Sequence, residues 1–273
     1  MRGAYTAGMV DALAHRGLNS CFDIIYGTSA GSFAAVVFGA GQAEDSAWLY
    51  PEELSGQKFI DFARWLRHSG PAVSLRYLVD QVLTVTRPLD FAALKDLDVP
   101  IRLIATAADS MEAHALGNLE TAEDWKAALC ASACIPLLAG PPVILQGKAW
   151  VDGSFGEPLA VRRAFNEGAT HVLALLSRAP SEARSLPPGA AQLSAMLAGV
   201  VYPAWGRSLR VKADWQGTVL SVRDRFDRSA GGKPLLALRP RVSCGVRALT
   251  TDAARLSHAV SAGADTVFAA FPE

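Results

Sequence analysis

The pentapeptide Gly27-Thr28-Ser29-Ala30-Gly31 lies between two segments of opposite character, and few folds accommodate that arrangement. Before it, Phe22-Asp23-Ile24-Ile25-Tyr26 is a short apolar, β-branched run that reads as a buried strand. After it, residues 33–41 are Ala-rich and apolar and read as a buried helix, stopped by Gly39 and Gly41. A serine on so tight a strand-to-helix turn projects its hydroxyl clear of the sheet. Gly27 and Gly31, two places before and after, remove Cβ atoms that would crowd it. The helix that follows aims the positive end of its dipole at the same spot, and the Ala30 N–H becomes one donor to an oxyanion formed beside Ser29. The pattern points to Ser29 as a nucleophile on an elbow.

The surrounding chain supplies the framework such an elbow needs. Residues 5–15 carry small and apolar residues at helical spacing and run into Gly17. Residues 52–91 have helical stripes broken at Gly70-Pro71, suiting surface helices or a cap. Residues 100–108 read as a second buried strand, 121–132 as a helix, and 143–151 as a hairpin turning at Gln146-Gly147. A helix over 158–166 and a strand over 171–176 follow. After a break at 185–188, residues 190–228 read as mostly helical, with Trp205, Trp215 and several basic side chains. A solvated basic face explains that segment, and a peripheral membrane contact is its sharper alternative. A strand over 235–239 and closing helices over 251–271 complete the chain. Strands alternating with helices predict a three-layer α/β/α fold with a largely parallel sheet and a helix-rich C-terminal portion.

Composition narrows the function classes. The 273 residues are 51% hydrophobic and 19% charged, which excludes extensive disorder. The 26 basic side chains balance the 26 acidic ones, so no overall basic field exists to draw in nucleic acid. Cys21, Cys130, Cys134 and Cys244 contain no Cys-x-x-Cys pair and are too sparse for a disulfide scaffold. Cys130 and Cys134 share a helix face but lack the partner histidines of a zinc site, so they are not expected to bind a metal. Residues 33–41, the longest strongly apolar run, are far shorter than the roughly 20 residues that span a bilayer. The first 17 residues are amphipathic rather than leader-like, and a cytoplasmic location is expected.

A serine nucleophile needs a base. His15, His68, His114, His171 and His258 all lack a recognisable catalytic context. Asp152 follows Trp150-Val151 at the end of a strand and precedes Gly153, so its carboxylate projects from a strand-end turn. On the dipeptide alone, Asp152-Gly153 reads more readily as an ordinary β-turn.

Four segments taken together carry a resemblance: residues 1–8 (Met-Arg-Gly-Ala-Tyr-Thr-Ala-Gly), 23–31, Ala131-Ser132-Ala133-Cys134-Ile135-Pro136, and Val151-Asp152-Gly153. In order and spacing they resemble the patatin-like phospholipase family, in particular its bacterial cytoplasmic-type members. Residues 88–91 and 235–271 are also similar to segments of those proteins. The resemblance implies a catalytic domain over 1–180 and a helix-rich extension over 181–273 packed on it. It implies a serine hydrolase that uses a Ser–Asp dyad without histidine, with Ser29 as nucleophile and Asp152 as general base. Lipid or acyl esters are the implied substrates and no cofactor is implied. The segment 131–136 is expected to pack the wall of the site.

Two departures stand out. Ser154 follows Asp152-Gly153 where the family usually has Gly or Ala. At the start, the family has a strand and a Gly-Gly-Gly-x-Arg-Gly loop that forms the oxyanion hole, and of that loop this chain carries only Met1, Arg2 and Gly3. Loss of one oxyanion donor costs about 10² to 10³ in kcat, so the chain as given is expected to be an impaired catalyst. A late-assigned start, a fragment and true loss of the strand are the alternatives, and the intact neighbouring motifs favour a truncated record. The rival expectations are a Ser-His-Asp esterase using His171 or His258, and a non-catalytic lipid-binding or scaffolding protein that keeps the fold without a complete oxyanion hole.

Overall fold

In the computed structural model, residues 1–180 and 234–272 are described. The helix α1 (Gly3–His15) opens the chain and leads to strand β1 (Ile25–Thr28), which turns at Ser29 into α2 (Ala30–Gly39). The segment expected to be helical over 52–91 is only partly so. The short helix α3 (Leu49–Glu52) leads into it, and within it the short helix α4 (Phe62–Leu66) and a π-helical stretch, Tyr77–Thr86, are joined by irregular chain. Strands β2 (Ile101–Ala107) and β3 (Ala113–Leu116), helix α5 (Ala122–Ala133), and the hairpin of β4 (Val143–Leu145) and β5 (Lys148–Asp152) follow. Next come α6 (Val161–Asn166), β6 (Val172–Leu175), β7 (Leu235–Leu238) and one long closing helix, α7 (Ala253–Ala270).

The fold is α/β, as expected, with a mixed sheet. Strand β2 is its axis, and its seven residues serve three partners. β1 runs parallel to residues 101–104, β3 runs antiparallel to 103–106, and β5 runs antiparallel to 105–107. Because β3 overlaps both of the others in register, β1 and β5 must share the opposite edge of β2, one after the other. β1 ends at Thr28 opposite Ile104, and β5, coming the other way, ends at Asp152 opposite Ala105. The β4–β5 turn falls at Gln146-Gly147, where both residues have positive φ (51° and 73°), the backbone of a tight two-residue hairpin. Strands β6 and β7 form a separate parallel pair.

Helices cover the sheet. Val36 of α2 and Leu129 of α5 join Leu103 of β2 in the largest core cluster. Met9 and Leu13 of α1 pack with Phe38 of α2 and Val267 of α7 in a second. The helix caps follow their sequence signals: Thr121 and Asp124 form a reciprocal capping box on α5, and the Asp252 carboxylate accepts the Arg255 N–H on α7. The expected helical segment 190–228 and its basic face lie outside the described residues, as does the start of the expected C-terminal extension. Among the described residues, no helix is long and apolar enough to cross a membrane.

α1 and α7 approach more closely than side chains would allow. A Cβ on Gly8 would lie 2.0 Å from the Val260 carbonyl oxygen, and one on Gly263 would lie 2.1 Å from the Tyr5 carbonyl oxygen. Each helix therefore offers a glycine to the other's backbone. Gly8→Ala or Gly263→Ala should force the helices apart and lower stability by about 1–3 kcal/mol, read as a lower denaturation midpoint in urea. An unchanged midpoint would show that the contact yields without cost.

Candidate active site

Ser29 sits where β1 turns into α2, with φ 55° and ψ −126°. A non-glycine residue with positive φ in this region is strained, and such strain is held only where the surroundings over-determine it. Here the holders are visible. The Ser29 N–H donates to the Ser132 Oγ at 3.1 Å. The Ser132 hydroxyl in turn donates to the Ile104 carbonyl at 2.6 Å. The Ser29 carbonyl accepts from the Ser32 N–H at 2.9 Å and from the Ser32 hydroxyl. Ser32 and Ser132 are fully buried, so the elbow is tied to α5 and to the middle of β2 by bonds shielded from water.

Gly27 is sterically required, since a Cβ there would lie 2.5 Å from Ser32 Cα and 2.7 Å from the Gly31 carbonyl oxygen. Gly31 is different. A Cβ at Gly31 would meet nothing within 4 Å, so the expectation that both glycines relieve crowding holds for the first alone.

Asp152 reaches the elbow from the opposite direction. The Ser29 hydroxyl donates to Asp152 Oδ2 at 2.7 Å, and the Ser154 N–H donates to Oδ1 at 2.8 Å. The Asp152 N–H is held by the Cys134 carbonyl at 2.7 Å. Gly153 presses against β2: a Cβ there would lie 2.1 Å from the Ile104 carbonyl oxygen and 3.1 Å from Thr28 Cγ2. Thr106, buried on β2, donates its hydroxyl to the Gly153 carbonyl at 3.3 Å and accepts the Gly156 N–H at 2.9 Å.

Asp152 is fully buried, and desolvation raises its pKa above the ordinary carboxylate value; hydrogen bonds from Ser154 and Ser29 act the other way. The departure at Ser154 thus adds a hydroxyl that favours the ionised form.

The remaining predicted residues cluster at the same place. Ala30 begins α2, and its N–H belongs to the first turn, whose donors have no intrahelical acceptor. Gly3 begins α1 beside it: a Cβ on Gly3 would lie 2.8 Å from Ala30 Cβ and 2.0 Å from Tyr50 Oη. Two helix N-termini therefore converge next to Ser29. Arg2 precedes Gly3, and its Nε is buried without a hydrogen-bond partner.

Sequence reasoning missed Ser132, Thr106 and Tyr50. Ser132 falls in the 131–136 segment expected only to pack the wall, whereas its hydroxyl bridges the elbow to β2. A hydroxyl within an otherwise Ala- and Cys-rich helix end was the available signal.

The histidines stand apart from this constellation. His15 bonds to the Asp11 carbonyl, His114 packs edge-on against Trp150, and His171 meets the Thr170 hydroxyl. Neither Ser29 nor Asp152 has a histidine among its hydrogen-bond partners in the described residues. Burial pushes the Cys130 and Cys134 thiols up to about 12, which leaves them unreactive. Asp11, His15 and Asp45 could in principle converge on a metal ion at the far end of α1. Asp11 there already accepts the Asp45 N–H at 2.7 Å, which ties the helix to the following loop.

Comparison with known proteins places the chain in a family. The chain is 27% identical over 183 residues to the uncharacterized protein YjjU of Escherichia coli strain K12, an alignment covering 66% of this chain and 50% of that protein. The chain thus spans about half the length of the curated relative it matches. Residues 1–165 match the sequence profile of the family described as patatin-like phospholipase, a stretch that includes β1, the elbow, β2 and β5. The chain belongs to the patatin-like phospholipase family.

Proposed function

We propose that the protein is a serine acyl hydrolase that cleaves acyl esters of lipids, with Ser29 as nucleophile and Asp152 as its general base. The observation that carries this reading is the 2.7 Å bond from the strained Ser29 hydroxyl to the buried Asp152 carboxylate. Asp152 accepts the hydroxyl proton as Ser29 Oγ attacks the ester carbonyl. The carbonyl oxygen becomes an oxyanion facing the Ala30 N–H and the open first turn of α2. Collapse of the tetrahedral intermediate expels the alcohol, which takes up a proton from Asp152. Water then attacks the acyl-Ser29 ester with Asp152 again as base, releasing the acid.

Burial suits Asp152 to this work. A carboxylate raised above its ordinary value is a stronger base than one in water. Its lone pairs are aimed by Ser154 and Ser29, so proton transfer requires no rearrangement. No step calls on a metal or an organic cofactor.

A peripheral contact with a lipid surface fits the outer face as well. Phe62, Trp65 and Leu66 fall on one side of α4 and are all exposed, with Lys58 and Arg67 nearby in sequence to meet anionic headgroups.

The test is hydrolysis of a p-nitrophenyl acyl ester and of a lysophospholipid, free and in anionic vesicles. Ser29→Ala should abolish turnover and Asp152→Asn should lower kcat by about 10² to 10⁴. Full activity in either variant would refute the dyad.

Stability gives an independent readout. The folded chain holds the Asp152 carboxyl above its ordinary value, so its ionisation withdraws stability as pH rises from that value, 3.8, through the raised one. Below the ordinary value the penalty is absent. Asp152→Asn should therefore raise Tm at neutral pH, and the gain should fade as pH falls toward the ordinary carboxylate range. A Tm lowered equally across the range would contradict the assignment of burial as the dominant cause.

A further inference from the structure

The end of α5 holds both members of the candidate dyad by their backbones. Ser132, in the last turn of the helix, accepts the Ser29 N–H on its Oγ at 3.1 Å. Cys134, at the C-cap, accepts the Asp152 N–H on its carbonyl at 2.7 Å. Carbonyls at a helix end have no partner within the helix, which leaves this one free to hold a neighbouring strand. One helix end thus grips the two residues whose side chains must meet.

The Ser132 bond runs in one direction only. Its hydroxyl has a single proton, which goes to the Ile104 carbonyl at 2.6 Å, so a lone pair faces the Ser29 N–H. Ser132 is fully buried, and water does not compete for its hydroxyl. The same Ile104 oxygen is the atom against which Gly153 is pressed, only 2.1 Å from where a Cβ would stand. One backbone oxygen of β2 therefore serves as the reference from which both the elbow and the Asp152 turn are placed.

Ser29 needs such a hold. At φ 55° and ψ −126° it lies outside the conformations a serine prefers, and its backbone would relax if released. That relaxation would carry Oγ away from Asp152 Oδ2, now 2.7 Å distant. Ser32 secures the carbonyl side of Ser29, and the N–H side depends on Ser132.

We propose that Ser132 is a positioning residue for the reaction, its hydroxyl holding the Ser29 backbone in the strained form that keeps Oγ on Asp152. This rests on the hydrolase reading for the roles of Ser29 and Asp152. Ser132 acts through the Ser29 N–H and not on Oγ. Because that N–H is committed to Ser132, stabilising the oxyanion is left to the Ala30 N–H and the rest of the first turn of α2.

Loss of this hold has a signature in pH. Burial raises the Asp152 pKa, and the hydrogen bond from Ser29 is among those that lower it again. An Asp152 deserted by Ser29 therefore ionises at higher pH. Among the described residues no charged side chain contributes to its shift, and the Cys134 thiol, pushed up to about 12 by burial and then by the Asp152 charge, stays neutral.

The test is the rate constant for fluorophosphonate labelling of Ser29, followed by mass spectrometry as a function of pH. It compares the full chain with its Ser132→Ala and Ser132→Cys variants, the fold of each checked by circular dichroism. Cysteine fills nearly the same space as serine but is a weak donor and acceptor, so it removes the hydrogen bond without opening a cavity. Both variants should label about 10²-fold more slowly, the effect of a misplacement of about 1 Å, and the midpoint of the rise in rate should move to higher pH. Labelling of either folded variant at the parent rate, or slower labelling with an unmoved midpoint, would overturn the proposal. If the parent takes no label, the hydrolase reading falls and the role of Ser132 with it. If the parent labels and the variants match it, the role of Ser132 falls alone.

Discussion

One edge of β2 carries two strands that arrive from opposite directions, and the chemistry of the site depends on where they stop. β1 runs parallel to β2 and ends opposite Ile104, while β5 runs antiparallel and ends opposite Ala105. Adjacent residues on one strand thus fix the termini of the other two, and Ser29, just past the end of β1, and Asp152, the last residue of β5, are delivered to the same point in space. Ser29 and Asp152, 123 positions apart in the chain, meet at 2.7 Å for this reason. The separation is a property of backbone ladders, which are stiffer than any loop that could have carried the same residues. Close packing enforces it: Gly153 lies against the Ile104 carbonyl with no room for a side chain.

That junction is costly to maintain. It combines a strained backbone at Ser29, a buried carboxylate, and a group of buried hydroxyls, each unfavourable if left unpartnered. The structure offsets these costs with a connected set of bonds in which Ser132 joins the elbow to Ile104, Thr106 joins Gly153 to Gly156, and Cys134 holds the Asp152 backbone. Every one of these groups reaches back to β2 or to the end of α5. Ser32, Thr106, Ser132 and Asp152 of this group are buried.

How much of this could be read from the residues follows from how local each signal is. The elbow was legible because Gly27, Ser29 and Gly31 lie within five positions and are flanked by a strand pattern and a helix pattern. The β4–β5 hairpin was legible at Gln146-Gly147 for the same reason, and Asp152 followed from the end of that hairpin together with family resemblance. β1 itself falls at Ile25–Thr28 rather than over 22–26, because its pairing with β2 carries it up to the elbow through Gly27. β3 was not foreseen: Ala113–Leu116 is four residues with no run of β-branched side chains, and it is a strand because β2 offers it an edge. The segment over 52–91 has helical stripes, yet the Gly70-Pro71 break and the packing of its apolar residues over α2 split it into short pieces and a π-helical stretch. Ser132 and Tyr50 act through contacts with residues far away in sequence, which no local pattern encodes.

The central claim is that the β2 edge brings together a reactive serine and its base. The most direct measurement is labelling of the 273-residue chain with a fluorophosphonate, followed by mass spectrometry of the modified peptide. The account predicts a phosphonyl adduct on Ser29, none in Ser29→Ala, and a rate of labelling reduced by about 10² or more in Asp152→Asn. An adduct on another serine, no adduct at all, or labelling of Asp152→Asn at the parent rate would contradict it.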